Sequence, residues 1–165
     1  MIGTARRRVA FPGQTASDLC QAAATDLFAA HPEEKQHIDA LIFVTQSPDF
    51  DQPATACALQ HRLGLPQSCA TFDVNQGCAG FVYGLWLAGT MVASGSCGSV
   101  LLLVGDAPYR PRDLRNRIMA PIFGDAGSAT LIKRGVDAAP LIFSIGTDGA
   151  GFAHIIQPGG RARVP

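Results

Sequence analysis

The stretch FDVNQGCAGF, residues 72–81, carries most of the information about the fold. It ends an apolar strand, turns at Gly77 and places Cys78 where a long helix of small and apolar residues begins. Glycine permits a sharp turn at position 77, and Gly80 lets another segment or a ligand approach closely. A strand that leads directly into a helix is typical of α/β proteins with a largely parallel sheet.

The segments around this stretch alternate between strand-like and helical patterns. Helices are predicted from about residue 15 to 30, from Pro53 to Leu63 and from Ala79 to Ser94, the last with a buried face of Phe81, Leu85, Ala88 and Val92. Strands are predicted at residues 40–45, 70–74, 99–105, 126–133 and 140–145. The last two have no helix between them and should pair antiparallel. Residues 106–121 have weak periodicity and predict a long loop.

Composition limits the class of protein. Apolar residues make up 47% of the 165 residues and charged residues 16%, which excludes a disordered chain and fits one domain. Thirteen basic residues balance thirteen acidic ones, so no overall positive field favours nucleic acid or an anionic membrane. The longest aliphatic run, Val100–Val104, is too short to span a bilayer. We therefore expect a cytoplasmic protein with neither nucleic-acid binding nor a membrane span.

The five cysteines and four histidines show no metal-ligand spacing, and no metal site is predicted. The cysteines lie at 20, 57, 69, 78 and 97 without a CxxC pair, and the histidines at 31, 37, 61 and 154. An odd number of cysteines without a secretory signal indicates free thiols. Most free thiols in proteins are small buried hydrophobic groups.

Cys78 is the cysteine with a second interpretation. At the start of a helix, the partial positive charge stabilises a thiolate, and free backbone N–H groups point toward an oxyanion. The same strand–turn–helix geometry presents the nucleophilic serine of hydrolases. Spacing alone leaves both a nucleophile and a buried structural thiol open.

Five segments in register resemble the β-ketoacyl-acyl-carrier-protein synthase III family of the thiolase superfamily. They are residues 39–48, 53–56, 72–81, 101–106 and 122–131, and the resemblance covers about Gly3 to Pro165. It implies a thiolase-like fold, with a mostly parallel sheet and helices on both faces. Residues 1–165 would form the N-terminal half-domain of a two-half fold.

The resemblance implies an acyltransferase of fatty-acid or related biosynthesis. Cys78 would accept an acyl group from acyl-CoA, and malonyl-acyl-carrier protein would then lose carbon dioxide and attack the thioester. No metal or permanently bound cofactor is implied, because acyl-CoA and the phosphopantetheine of acyl carrier protein carry the substrates. The expected partners are acyl-CoA, acyl carrier protein and a second copy in a homodimer.

The chain departs from the family pattern in two places. The family's catalytic histidine and asparagine lie in a second half, and His154 falls where the family has a variable surface stretch. The family's first strand, with the tryptophan that stacks on CoA, is also missing because Gly3 aligns beyond it. We therefore expect a fragment, a truncated reading frame or one part of a split enzyme that does not complete the condensation alone.

Arginines dominate the basic residues, and Arg117 occupies the place of the family arginine that packs on the CoA adenine. Guanidinium stacks on rings and binds phosphate, although a solvated basic loop is the alternative for Arg117 and its neighbours. The neighbours are Arg110, Arg112 and Arg115. A weaker hypothesis has Arg6–Arg8 receiving the acidic carrier protein.

Several other residues are expected to have structural roles or to affect specificity. Asp73 and Asp125 are predicted to stabilise local structure, and Trp86 to lie in the core or at an interface. The residues Phe50, Asp51 and Gln52 are expected to approach the partner's acyl pocket. Gln52 stands where the family often has a bulky apolar residue, which leaves the acyl-chain specificity open.

Two alternative functions remain. The first is a specialised synthase III-like acyltransferase that joins two acyl groups or acylates a secondary metabolite or glycolipid, which Asn75-Gln76-Gly77 slightly favours. The second is a non-catalytic half-domain that dimerises or docks carrier protein. Intact Cys78 and its glycines argue against the second alternative, and the missing histidine and asparagine argue for it.

Overall fold

One mixed sheet organises the computed structural model, which describes residues 3–107, 122–135 and 140–159. Its strands are β1 (Ala40–Val44), β2 (Ala70–Val74), β3 (Ser99–Asp106) and β4 (Ala126–Lys133). They lie in the order β2-β1-β3-β4. Strand β1 is parallel to both β2 and β3, whereas β4 is antiparallel to β3. The predicted mostly parallel sheet is confirmed.

Helices cover both faces of this sheet, as predicted. They are α1 (Ala16–Ala30), α2 (Thr55–Leu63) and α3 (Gly80–Ala93), with short 3-10 helices at Pro32–His37, Gly77–Ala79 and Gly149–His154. Alternate residues of the central strands point to opposite faces. Leu41 and Leu101 pack in the core under α1 and α2, whereas Ile42 and Leu102 pack under α3. Burial on both faces explains why these strands are continuously apolar.

Helix α1 begins and ends where the sequence predicts. The Thr15 hydroxyl accepts a hydrogen bond from the Asp18 backbone N–H at 3.4 Å. The Asp18 carboxylate in turn accepts from the Thr15 N–H at 2.9 Å, which completes a capping box. The last hydrogen bond runs from the His31 N–H to the Leu27 carbonyl.

Helix α2 begins at Thr55 rather than at Pro53, and this corrects the prediction. Asp73 of β2 accepts hydrogen bonds from the backbone N–H groups of Thr55 at 2.7 Å and Ala56 at 2.8 Å. The cap is therefore supplied by a distant strand, so local sequence could not locate it. The predicted end at Gly64 is confirmed, with φ at +62°. The predicted structural role of Asp73 has this physical basis.

The predicted buried face of α3 is confirmed at Ala88 and Val92 and wrong at Phe81. The buried residues are Gly80, Gly84, Ala88 and Val92, whereas Phe81 is 46% exposed and Leu85 is partly buried. A Cβ at Gly84 would lie 2.7 Å from Leu102 Cδ1 and 2.9 Å from Val44 Cγ2. At Gly84 the helix lies too close to the sheet for a larger residue, so small size rather than hydrophobicity selects this position.

The predicted strand at residues 140–145 is wrong. These residues form no strand, and β4 pairs instead with β3, from Ser99 opposite Lys133 to Asp106 opposite Ala126. The chain that follows contacts α3, where the Tyr83 hydroxyl donates to the Gly146 carbonyl at 3.3 Å. Leu141 and Ile142 of this run are exposed, and an exposed apolar run has the same sequence pattern as a short strand, so periodicity could not separate the two. Asp106, predicted in a loop, ends β3, and residues 108–121 of that loop lie outside the described residues.

Candidate active site

The carboxyl ends of the three parallel strands meet at one edge of the sheet. Thr45, Gln46 and Ser47 follow β1, the Cys78 turn follows β2, and Asp106 ends β3. The Thr45 N–H donates to the Val74 carbonyl at 3.1 Å, which joins the ends of β1 and β2. In open α/β sheets, this edge is where ligands bind.

Cys78 lies in the short 3-10 turn Gly77–Ala79 between β2 and α3, and it is exposed. Gly77 has φ at +56°, a left-handed conformation that glycine adopts without strain. The Gly80 N–H bonds to the Gly77 carbonyl, and α3 continues from there. The cysteine therefore precedes the first α-helical residue by two positions, within the strand–turn–helix junction that the sequence predicts.

Close packing holds the start of α3 against β1. A Cβ at Gly80 would lie 2.5 Å from Val44 Cγ1, so only glycine fits at this distance. Val44 is almost fully buried, and its branched side chain has little freedom to move. Gly80 thus fixes the height of α3, and hence of the Cys78 turn, above the sheet.

Asp106 collects four hydrogen bonds at this edge, and the sequence prediction missed it. Its Oδ1 accepts from the Thr45 hydroxyl at 3.0 Å, the Gln46 backbone N–H at 2.7 Å and the Ser47 hydroxyl at 3.4 Å. Its Oδ2 accepts from the Gln46 side-chain amide at 3.1 Å. One feature of the sequence could have indicated its role, since polar residues lie at the carboxyl ends of both β1 and β3, two neighbouring parallel strands. The carboxylate locks the ends of β1 and β3 together.

The cysteines fall into two groups that differ in access to solvent. Cys20, Cys69 and Cys97 are buried, whereas Cys57 and Cys78 are exposed. Burial raises the pKa of Cys20 to about 12, with a smaller rise from Asp106 that a Ser128 backbone hydrogen bond opposes. Burial, followed by the Asp39 charge, raises the pKa of Cys69 to about 11 and raises that of Cys97. The buried thiols are held neutral, which leaves Cys57 and Cys78 as the accessible ones.

The histidines and the other predicted residues lie in separate places. His31, His37, His61 and His154 are all exposed, at or near helix ends, as predicted for the first three. Trp86 is 40% exposed and makes an edge-on ring contact with Tyr83 at 6.4 Å, so it is not part of this chain's core. Gln52 and its two preceding residues are exposed. Arg117, with Arg110, Arg112 and Arg115, lies outside the described residues.

The N-terminal arm is joined to the segment before β4. The Asp125 carboxylate accepts from the Ala10 N–H at 2.8 Å, and the Asp125 N–H donates to the Arg8 carbonyl at 2.9 Å. Asp125 therefore has a structural role, as predicted, and this role includes bonds to a distant segment of the chain. Arg6–Arg8 are exposed and line a shallow pocket of about 470 Å³ with Ile122 and Gly124.

Two further properties concern only the described part of the chain. No described helix is long and apolar enough to cross a membrane. Within residues 3–107, 122–135 and 140–159, no three histidine, cysteine or acidic side chains come together as a metal site would require.

The fold and this edge define a class: a thiolase-like α/β chain that presents an exposed cysteine at a strand–turn–helix junction. The family profile described as 3-oxoacyl-[acyl-carrier-protein (ACP)] synthase III matches residues 72–149, which include this junction. A Campylobacter jejuni protein named as a 3-oxoacyl-[acyl-carrier-protein] synthase 3 is 41% identical over all of this chain and 46% of its own length.

Solved structures agree with that profile. The 3-oxoacyl-(acyl-carrier protein) synthase of Burkholderia xenovorans is 39% identical with a TM-score of 0.88, over 99% of this chain and 47% of that one. A more distant structure, an OleA variant of Xanthomonas campestris with bound lauric acid and lauroyl-CoA, is 25% identical with a TM-score of 0.68. The match covers 78% of this chain and 42% of the OleA chain.

The resemblance to the 3-oxoacyl-acyl-carrier-protein synthase III family is confirmed, and the chain corresponds to the N-terminal half of those proteins. It spans about half the length of the curated relatives it matches. The fold class expected from the resemblance, a thiolase-like sheet with helices on both faces, is confirmed.

Proposed function

We propose that this chain is the cysteine-bearing part of a 3-oxoacyl-acyl-carrier-protein synthase III type acyltransferase, with Cys78 as the acyl-accepting nucleophile. The observation that carries the proposal is the position of Cys78. It is exposed, it follows a left-handed glycine at the carboxyl edge of the sheet, and the family profile includes it. The buried cysteines are not candidates for the acyl-accepting nucleophile, because their thiols are inaccessible and hard to ionise.

In the proposed first half-reaction, the Cys78 thiolate attacks the thioester carbonyl of an acyl-CoA. The carbonyl oxygen becomes an oxyanion, which backbone N–H groups at the start of the turn and helix are suited to stabilise. The tetrahedral intermediate collapses, the C–S bond to CoA breaks, and CoA leaves as a thiolate that takes up a proton. The acyl group remains on Sγ as a new thioester.

In the proposed second half-reaction, malonyl-acyl-carrier protein loses carbon dioxide, and the resulting enolate attacks the Cys78 thioester. A carbon–carbon bond forms, the C–Sγ bond breaks, and the 3-oxoacyl product stays on the carrier protein. The resemblance assigns a histidine and an asparagine of the family's other half to this step, so we propose that condensation needs residues beyond this chain. Arg117 as a contact for CoA, acyl carrier protein as a partner and homodimer formation stay predictions.

Acylation of the purified chain tests the proposal directly. The chain is incubated with acetyl-CoA and with longer acyl-CoAs, and its intact mass is measured. We expect one acyl adduct that Cys78→Ala abolishes. The matched control is Cys57→Ala, which removes the other exposed thiol and should retain the adduct. An adduct on Cys57 instead would contradict the assignment of Cys78. The absence of any adduct on a folded chain would also contradict it and would favour a non-catalytic docking role.

A second candidate is a specialised acyltransferase that joins two acyl groups. The observation in its favour is the likeness to the OleA variant, whose structure holds lauric acid and lauroyl-CoA. The likeness to 3-oxoacyl-acyl-carrier-protein synthases is closer in both identity and TM-score. Chain-length dependence separates the two candidates, since a preference for acetyl-CoA supports the first and a preference for lauroyl-CoA supports the second.

A further inference from the structure

We propose that Asp106 is a positioning residue for the Cys78 turn and that it acts through the side chain of Gln46. This inference rests on the proposed function of Cys78. It begins from one hydrogen bond and one close approach, both of which involve the side-chain amide of Gln46. Asp106 Oδ2 accepts from Gln46 Nε2 at 3.1 Å, and a Cβ at Gly77 would lie 3.6 Å from Gln46 Oε1.

The first step of the argument concerns the orientation of the Gln46 amide. A glutamine amide has donors on one end and an acceptor on the other, and it can turn either end toward a neighbour. Asp106 is acceptor-only when ionised, so it selects the Nε2 end. Oε1 is then directed to the opposite side, toward Gly77, where a Cβ would lie 3.6 Å from it.

The second step concerns why the carboxylate itself does not move. Asp106 Oδ1 is held by the Thr45 hydroxyl, the Gln46 backbone N–H and the Ser47 hydroxyl. The Ser47 hydroxyl oxygen also accepts from the Ala107 N–H at 3.1 Å, which fixes the chain just after β3. The carboxylate that carries Oδ2 is therefore held in place by residues at the ends of both β1 and β3.

The third step concerns the consequence for Cys78. Gly77 has no side chain, and its left-handed conformation leaves its outer side open to the Gln46 amide. With Gln46 in place, the amide bounds the space beside Gly77. The next residue along the chain is the proposed nucleophile. A reacting group held within a narrow range of positions reacts faster than one that samples many.

The two variants that test this act on opposite ends of one hydrogen bond. Gln46→Met keeps the length of the side chain, removes the amide and changes no charge. Asp106→Asn keeps the shape and offers an N–H where Oδ2 was, which should turn the Gln46 amide around. We expect each variant to slow acylation of Cys78 about tenfold at saturating acyl-CoA. The half-saturating acyl-CoA concentration should stay unchanged, because neither residue is proposed to bind substrate.

The double variant separates positioning from charge. If Asp106 acts through Gln46, the double variant should be no slower than the slower single variant, because both changes remove the same contact. Independent effects would multiply to about a hundredfold. A simple effect of the lost negative charge would appear in Asp106→Asn and not in Gln46→Met.

Asp39→Asn is the matched control. Asp39 also accepts from two backbone N–H groups, those of Gly98 at 2.6 Å and Ser99 at 3.1 Å, but it precedes β1 at the opposite edge of the sheet. It should lower stability without changing the rate at Cys78. Each protein also contains an internal reference, since iodoacetamide alkylates exposed Cys57 as well as Cys78, and the ratio of the two rates corrects for global loosening.

The outcomes distinguish the inference from the function on which it rests. If the unsubstituted chain is acylated and Gln46→Met stays within about twofold of it, the positioning role is wrong and Cys78 remains the nucleophile. If the unsubstituted chain is not acylated, the proposed function fails. In that case the ratio of the alkylation rates of Cys78 and Cys57 tests the positioning role. A ratio that is the same in Gln46→Met, Asp106→Asn and the unsubstituted chain would overturn that role.

Discussion

Replacing Gly84 by alanine should destabilise the chain, although alanine is the better helix former. A Cβ at this position would lie 2.7 Å from Leu102 Cδ1 and 2.9 Å from Val44 Cγ2. Leu102 is fully buried and Val44 nearly so, which leaves neither side chain room to move. Overpacking of this kind costs roughly 1–3 kcal/mol. The gain in helix propensity returns about 1 kcal/mol.

Gly89 is the matched control in the same helix. A Cβ there has only Leu141 Cδ1 within reach, at 3.9 Å, which is ordinary contact. Gly89→Ala should therefore gain most of the helix propensity, about 0.5–1 kcal/mol. The two alanine variants should differ by about 2 kcal/mol, with opposite signs relative to the unsubstituted chain. That difference corresponds to roughly 4–8 °C in melting temperature for a chain of this size.

Urea unfolding followed by far-UV circular dichroism and Trp86 fluorescence measures this difference, because Trp86 lies on the same helix. A Gly84→Ala chain as stable as Gly89→Ala would refute the argument that α3 is held at the distance of a glycine. A second variant locates the clash: Leu102→Val removes the atom nearest to the added methyl. The double variant should lose less free energy of unfolding than the sum of the losses in Leu102→Val and Gly84→Ala.

Two further predictions concern stability and pH. Asp73→Asn weakens the cap of α2, because only one of its two acceptor oxygens is retained for the N–H groups of Thr55 and Ala56, and should cost about 1–2 kcal/mol in urea unfolding. The exposed Asp26→Asn should cost nothing measurable, and equal losses in the two variants would contradict the capping role. Burial raises the pKa of Cys20 from 9.0 to about 12, so the folded chain keeps a proton that the unfolded chain loses. Stability from this group is complete below pH 9 and falls by about 1.4 kcal/mol per pH unit as pH rises toward 12. Cys20→Ala should remove this part of the dependence of the unfolding free energy on pH. An unchanged dependence would show that another group causes the loss of stability at alkaline pH.

The sequence predicted the central strands well because their signal is local. Residues 40–44 and 100–104 are continuously apolar, and burial on both faces of a parallel sheet produces that pattern directly. The capping box of α1 and the glycine that ends α2 are equally local, since both lie within a few residues of the helix they terminate. The position of Cys78 at the junction of β2 and α3 followed from Gly77 and the strand before it.

The errors have a common cause, which is that distant residues decided the outcome. The start of α2 depends on Asp73, eighteen positions away. The first half of the inner face of α3, at Gly80 and Gly84, depends on its distance from Val44 and Leu102, which favours glycine over a larger apolar residue. Asp106 was assigned to a loop because its partners, Thr45 to Ser47, lie about sixty residues earlier. The pairing of β4 with β3 likewise could not be predicted from the pattern of either segment alone.

The geometry of the sheet edge also suggests how the two proposed half-reactions divide between parts of the whole enzyme. Acylation needs a thiolate and backbone N–H donors, and we propose that the Cys78 turn, which β1, β2, β3 and α3 hold in place, supplies both. Condensation needs groups that act on the malonyl carboxylate, and the resemblance assigns those groups to the other half of the family. We therefore expect this chain to form the acyl-enzyme and release no carbon dioxide from malonyl-acyl-carrier protein. Release of carbon dioxide by the chain alone would show that the division is wrong and that a residue of this half acts in both steps.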